Sequence, residues 1–417
     1  MSLRVAAATL ILAGVSSALA FADPWPGFRG PAGQGHSKEI RLPVRWSAAE
    51  GVLWKAPIDG AAWSSPIVWG GRVFVTTARD EGRACHVIAL DRRTGAVLWD
   101  TLVFTQQMKR KEDRNSYASP TPVTDGSRVF AVFADGSFVA VDAASGAVAW
   151  TNRDFPFYSQ HGLGSSLVLY RDLLIHARDG SSEGPDKGVG WQTPWEEAFI
   201  VALDSRTGKP RWQARRGPSR IAHVTPIVAR VGGRDVLFSP AGDVIQAFDP
   251  QSGRRLWSVP STGEGVVPSP VLAGQTLVTV SGFGAPAVRA VQVGASPKVT
   301  WEQTRGVPML ASPVVVDDAV YVVTDAGVLS ALDAGSGRQR WQQRLEGTFS
   351  ASPVAADGKV YLLNDSCETS VVAPGPAYAL LSRNRLGGRC HASMAISGGL
   401  LFIRTDSALY AIGAQSR

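Results

Sequence analysis

Residues 311–341 read ASPVVVDDAVYVVTDAGVLSALDAGSGRQRW. Three short β-branched runs, at 312–316, 320–323 and 328–332, are separated by the turns Asp317-Asp318 and Asp325-Ala326-Gly327. Such runs, bounded by Asp and Gly, read as strands joined by hairpins. A third turn, Asp333-Ala334-Gly335-Ser336-Gly337, leads into a last short run that ends at Trp341. The unit is four antiparallel strands in about forty residues, the size of a propeller blade. In its last turn Asp333 can accept bonds from N–H groups two or three residues on, and Gly337 can take a positive φ that a β-carbon would penalise. Trp341 offers a flat apolar face to a neighbouring sheet. All three therefore read as structural residues, not catalytic ones.

Most of the chain is an imperfect copy of this unit. Seven further segments align through the residues that begin the first strand: Ser64-Ser65-Pro66, Ala118-Ser119-Pro120, Gly164-Ser165-Ser166, Val224-Thr225-Pro226, Pro268-Ser269-Pro270, Ala351-Ser352-Pro353 and Ala392-Ser393-Met394. With Ala311-Ser312-Pro313 they make eight. The closing turn recurs as Asp91, Gly95 and Trp99; Asp142, Gly146 and Trp150; Asp204, Gly208 and Trp212; and Asp249, Gly253 and Trp257. Blade five departs from it, with Gln292 in place of Asp and one extra residue before Trp301, and blade seven has neither the Asp nor the Trp. The eighth copy ends without an outer strand, while residues 51–55 precede the first copy and end like outer strands elsewhere. The predicted fold is therefore an all-β, eight-bladed β-propeller over 51–413, its ring closed by an N-terminal strand that completes the last blade. Residues 23–50 form an N-terminal extension and 414–417 a C-terminal tail.

Arg4 followed by the apolar run 5–19, with small residues at Ala18, Ala20 and Ala22, reads as a signal peptide over 1–22, cut after Ala20 or Ala22. Val15 stands where a lipoprotein box after Leu12-Ala13-Gly14 would need Cys, so no membrane anchor is expected. The expected product is periplasmic or secreted, and no later apolar run approaches the roughly twenty residues that a bilayer crossing needs. The formal net charge is +7, without a basic run longer than Lys109-Arg110-Lys111, so no nucleic-acid partner is expected. Of the three cysteines, Cys367 and Cys390 fall in adjacent repeats; a disulfide between them and buried free thiols both remain open.

Standard catalytic and metal motifs are absent, and Gly282-Phe283-Gly284-Ala285-Pro286-Ala287 joins two strands instead of opening a helix. Geometry supplies better candidates, because first strands line the axis and their entries converge on one mouth. Two positions before the aligned Ser or Thr stand Trp63, Tyr117, Leu163, His223, Val267, Leu310, Ser350 and His391, and His161 lies two residues earlier still. Trp63, Tyr117, His161, His223 and His391 are thus candidates for a ligand or partner surface; three His at one phase suit a metal or acid–base chemistry, or are merely hydrated. Two loops break the period: the charged stretch 106–114, and 179–197 inside blade three, whose Trp191 and Trp195 are either ligand contacts or the packing of a lid.

Together, the Ala-x-Asp-x-x-Thr/Ser-Gly-x-x-x-Trp pattern, Trp25-Pro26-Gly27-Phe28-Arg29-Gly30-Pro31, Asn115-Ser116-Tyr117-Ala118-Ser119, His161-Gly162-Leu163-Gly164-Ser165-Ser166 and Leu401-Phe402-Ile403-Arg404-Thr405 resemble the PQQ-binding-like, or quinoprotein-like, β-propeller repeat proteins. In that resemblance the first pattern is a tryptophan docking motif. The outer-membrane assembly factor propeller, related in fold, implies a scaffold that binds partner proteins; the expectation for this chain is a monomeric binding or scaffolding module for a protein partner or small molecule. The quinoprotein dehydrogenases imply instead a quinone-dependent or metal-assisted oxidoreductase, with PQQ and calcium on the axis. The adjacent cysteine pair and the calcium ligands of that second group are not found here, so no cofactor is expected.

Overall fold

The β-branched runs of the repeat become strands. In blade 6 these are Val314–Val316, Ala319–Val323, Val328–Asp333 and Gln339–Arg344, running from the axis outward. Its second strand is buried along its whole length, since each blade is packed between two others, whereas its outer strand alternates between exposed and half-buried residues. Eight such four-stranded sheets, paired antiparallel, make up the ring. The structure, a computed structural model, describes residues 23–413; the leader read at 1–22 and the tail at 414–417 lie outside the described residues.

The ring closes as predicted. Val52–Pro57 pairs antiparallel with Ala408–Ile412 and becomes the outer strand of blade 8. Across the same seam the buried Arg404 donates to the Ser64 carbonyl and hydroxyl and to the Thr76 carbonyl of blade 1.

Adjacent blades meet through the closing turns. The Asp carboxylates bind the turn's own N–H groups, as Asp142 does with Ala144 and Ser145. The glycines do more than accept a positive φ: each lies under the indole of the preceding blade. A β-carbon on Gly208 would stand 2.5 Å from Trp150, one on Gly253 2.5 Å from Trp212, and one on Gly337 2.6 Å from Trp301. The same indoles donate to carbonyls of the next blade, Trp150 to Ser205 at 3.0 Å and Trp301 to Ala334 at 3.0 Å.

Blade 7 forms without the Asp and Trp. Tyr378 packs edge-on against Trp341 with ring centroids 5.7 Å apart, and the Trp341 indole donates to the Gly375 carbonyl. Cys367 and Cys390 are joined in a disulfide that ties this blade to the lead-in of blade 8; Cys85 is a buried free thiol. Opening the roughly 23-residue loop by Cys390→Ser is expected to cost about 3 kcal/mol, seen as a lower urea midpoint that matches reduced wild type. Equal midpoints for the variant and the oxidised protein would refute this.

The N-terminal extension forms a hub under the ring. Asp23 accepts from Ser397 of blade 8, Trp25 exchanges backbone bonds with Val68 of blade 1, and the Pro26 carbonyl accepts from Thr124 of blade 2. Gly33 lies against Ile227 of blade 4, and the Gln34 side chain accepts from Leu272 of blade 5. The buried Arg29 donates to the Pro313 carbonyl of blade 6, Gly35 and Ser37 bond Ala355 of blade 7, and Glu39 returns to blade 8. Further on, Trp46 is buried and its N–H donates to Asn384 of blade 7.

Candidate functional site

A chain of hydroxyls lines the axis. The Ser65 N–H donates to the Thr121 hydroxyl, Thr121 N–H to Ser166 and Ser166 N–H to Thr225. A second arc runs from Ser269 to Ser312, Ser352 and Ser393. Blades 2 and 3 therefore use Thr121 and Ser166, not Ser119 and Ser165, which corrects the alignment drawn from the triplets. The residues ahead of Thr121 form a turn of their own, in which the Ser119 hydroxyl donates to Asn115.

Above this chain the axis widens into a cavity of about 420 Å³. Phe28 of the extension lines it from the hub, so the channel is a cup with one open end. Trp63, His161, Trp191, His223 and His391 all line it. The histidines do not form one group: His223 and His391 belong to blades 4 and 8, half a turn apart. His161 meets His223 edge to face with ring centroids 6.0 Å apart, and Trp63 covers His391 at 4.3 Å. Trp191 packs edge-on against His161 at 5.9 Å.

Two candidates lie elsewhere. Tyr117 follows the corrected register out of the cup; its hydroxyl donates to the Lys109 carbonyl and its ring fills the space over Gly82. Trp195 exchanges backbone bonds with Ser219 and packs near Gly180, fastening the insertion instead of facing the cavity. The two period-breaking loops meet on one rim, where Lys109 pairs with Glu183 at 2.9 Å. The root of the insertion is fixed by Asp179 and Arg216, a buried ion pair at 2.6 Å whose guanidinium also donates to Ser239 and Gln246 of blade 4.

Phe28, Glu112, Arg114, Glu264 and Phe283 also line the cup. No repeat phase marks them, because they come from the hub, the charged loop and the loops of blade 5. Phe283 belongs to the Gly-rich stretch that joins two strands, and its carbonyl accepts from Glu264 N–H. Only the interruption of the period signalled any of these positions.

Burial lowers the pKa of His161, His223 and His391 below the usual imidazole range, that of His223 to about 3 with the neighbouring His161 contributing. His176, enclosed in blade 3, is lowered to about 3 by burial and by Arg178. Near neutral pH the cup thus presents neutral rings that donate and accept. The unfolded chain takes up protons below about pH 6.5 that the folded chain refuses, so stability is full above that pH and falls as the solution is acidified through it. Asp91 and Asp142, held low chiefly by bonds within their turns, Asp204, held low against its burial by Thr207 and Arg211, and Asp333, held low chiefly by Arg340 and then by its turn, add a further loss below about pH 4. Urea midpoints should fall in the order pH 8, 6 and 5, with the steeper drop between pH 6 and 5; a flat profile over the range would contradict the assignment.

Among the described residues no three His, Cys, Asp or Glu side chains converge as a metal-binding group. Among the described residues that line the cup, the carboxylates are Glu112 and Glu264, a poor match to the oxygen donors that the calcium of quinoprotein chemistry takes.

Fold and cup together define an eight-bladed PQQ-like propeller with its axis closed at one end. The chain belongs to the family described as outer membrane protein assembly factor BamB, whose model matches residues 43–153, 86–240, 240–374 and 287–416. It is 23% identical over 273 residues to the BamB of Burkholderia pseudomallei, covering 56% of this chain and 64% of that protein, and 29% identical over 223 residues to the BamB of Bordetella pertussis, covering 52% and 50%. The matches thus span half to two thirds of these relatives' length. In fold it is similar to the crystal structure of BamB from Moraxella catarrhalis, with a TM-score of 0.62 at 14% identity over 88% of this chain and 98% of that one. The computationally designed Ika8 protein gives a TM-score of 0.61 at 11% identity over 87% and 100%.

Proposed function

We propose that this chain is an exported scaffold of outer membrane protein assembly, which receives a segment of a partner protein in the axial cup. The observation that carries the reading is the one-ended cup itself. Trp63, Trp191, Phe28 and Phe283 offer apolar faces, while the hydroxyls and neutral imidazoles can meet both N–H and C=O groups of an extended backbone. With the hub below, a bound segment must enter and leave on the same side, which suits a chain end or a loop tip. Family membership supports the assembly role, and the leader supports export. The loops at 106–114 and 179–197 widen the contact surface at the rim.

The test is a titration of the purified propeller with peptides from unfolded outer-membrane strands, read by tryptophan fluorescence. Trp63→Ala or His223→Ala should weaken binding by roughly tenfold, about 1.4 kcal/mol, with an unchanged unfolding midpoint at pH 8. Unaltered affinity in both variants would remove the cup from the reading. Stoichiometric uptake of PQQ with calcium, followed by dye-linked alcohol oxidation, would replace it with the oxidoreductase alternative.

A further inference from the structure

We propose that the export leader is removed at the Ala22–Asp23 bond and that Glu39 is the receptor for the ammonium group so created. The sequence offers two cleavage positions with small residues at the required spacing, Ala18-Leu19-Ala20 and Ala20-Phe21-Ala22. The fold separates them. Asp23 is fastened at both ends of its backbone: its N–H lies 3.1 Å from Glu39 Oε1, and its carbonyl accepts from the Ser397 hydroxyl at 2.6 Å. Glu39 is itself held by the turn of blade 8, where Gly398 N–H donates to Oε1 at 2.6 Å and Gly399 N–H to Oε2 at 3.0 Å. All three bonds to Glu39 come from main-chain N–H groups, and none comes from a cationic side chain.

Cleavage supplies a counter-ion. A leader peptidase adds water across the Ala22–Asp23 amide; Ala22 leaves with the carboxylate, and the Asp23 amine takes up a proton at neutral pH. The amide donor to Glu39 becomes an ammonium donor, and a hydrogen bond to the carboxylate becomes an ion pair that is also hydrogen-bonded. Cleavage after Ala20 would leave Phe21 and Ala22 in place and carry the ammonium two residues away. The site gains a purpose from its position: Ser397, Gly398 and Gly399 lie in the blade that the N-terminal strand completes, so processing tightens the hub at the seam of the ring.

Two measurements test this. The intact mass of the exported protein should correspond to a chain beginning at Asp23; a chain beginning at Phe21, or one retaining its leader, would overturn the proposal. Amide exchange at Gly398 and Gly399 should then be about twofold to fivefold faster in Glu39→Gln, and in wild-type protein prepared to begin at Phe21, than in the chain beginning at Asp23. Equal exchange in the Asp23 and Phe21 chains would show that the ammonium is not received by Glu39.

Discussion

Asp179→Ala is expected to lower the unfolding free energy by about 3–5 kcal/mol. The substitution removes the partner of a guanidinium that has no access to water: the side chains of Arg216 and Asp179 are 0% and 1% exposed. Arg216 would keep its bonds to Ser239 and Gln246, but its charge would stay buried and uncompensated. The double variant Asp179→Ala with Arg216→Met should recover most of the loss, because the pair itself contributes little once its desolvation is counted. Urea unfolding of the two variants checks both statements. A single-variant loss below about 1 kcal/mol, or a double variant no better than the single, would contradict them. Since the pair anchors the insertion that carries Trp191 to the cup, the single variant should also weaken ligand binding.

A second large effect is expected at the closing turns. Gly253 and Gly274 both have positive φ, 72° and 60°, but a β-carbon on Gly253 would meet the Trp212 ring at 2.5 Å while one on Gly274 would meet nothing within 4 Å. Gly274→Ala should therefore cost only the backbone strain, about 1–2 kcal/mol. Gly253→Ala adds overpacking against the indole, which contributes another 1–3 kcal/mol or so. Unfolding midpoints of the two variants provide the comparison. Equal losses would show that the indole yields at no cost and that the glycine is required for its φ alone.

The ring of eight blades, its closing strand and its turn residues were legible because one period fixes them all. What the sequence hid has physical causes. In blade 2 the Ser119-Pro120 pair imitates the true Thr121-Pro122 pair, and the hydrogen bonds from Ser65 to Thr121 and from Thr121 to Ser166 tell them apart. That two-residue shift carried Tyr117 out of the cup. The common phase of His223 and His391 suggested a cluster, but equal phase on opposite blades means separation across the axis. Phe28 was illegible because the hub binds mostly through backbone groups and single side chains, which leave no periodic trace. Blade 7 kept its place without Asp or Trp because Tyr378 and the Gly375 carbonyl meet Trp341 from the other side.

The hub also bears on how the molecule comes apart. In a ring of repeats each blade touches only its two neighbours, and stability is then close to a sum of local terms, so that one weak blade can melt without the rest. Residues 23–39 give seven of the eight blades a common contact that is neither neighbour. Loss of one blade then loosens a segment on which the others also rest. The extension thereby turns a nearest-neighbour array into a cooperative unit.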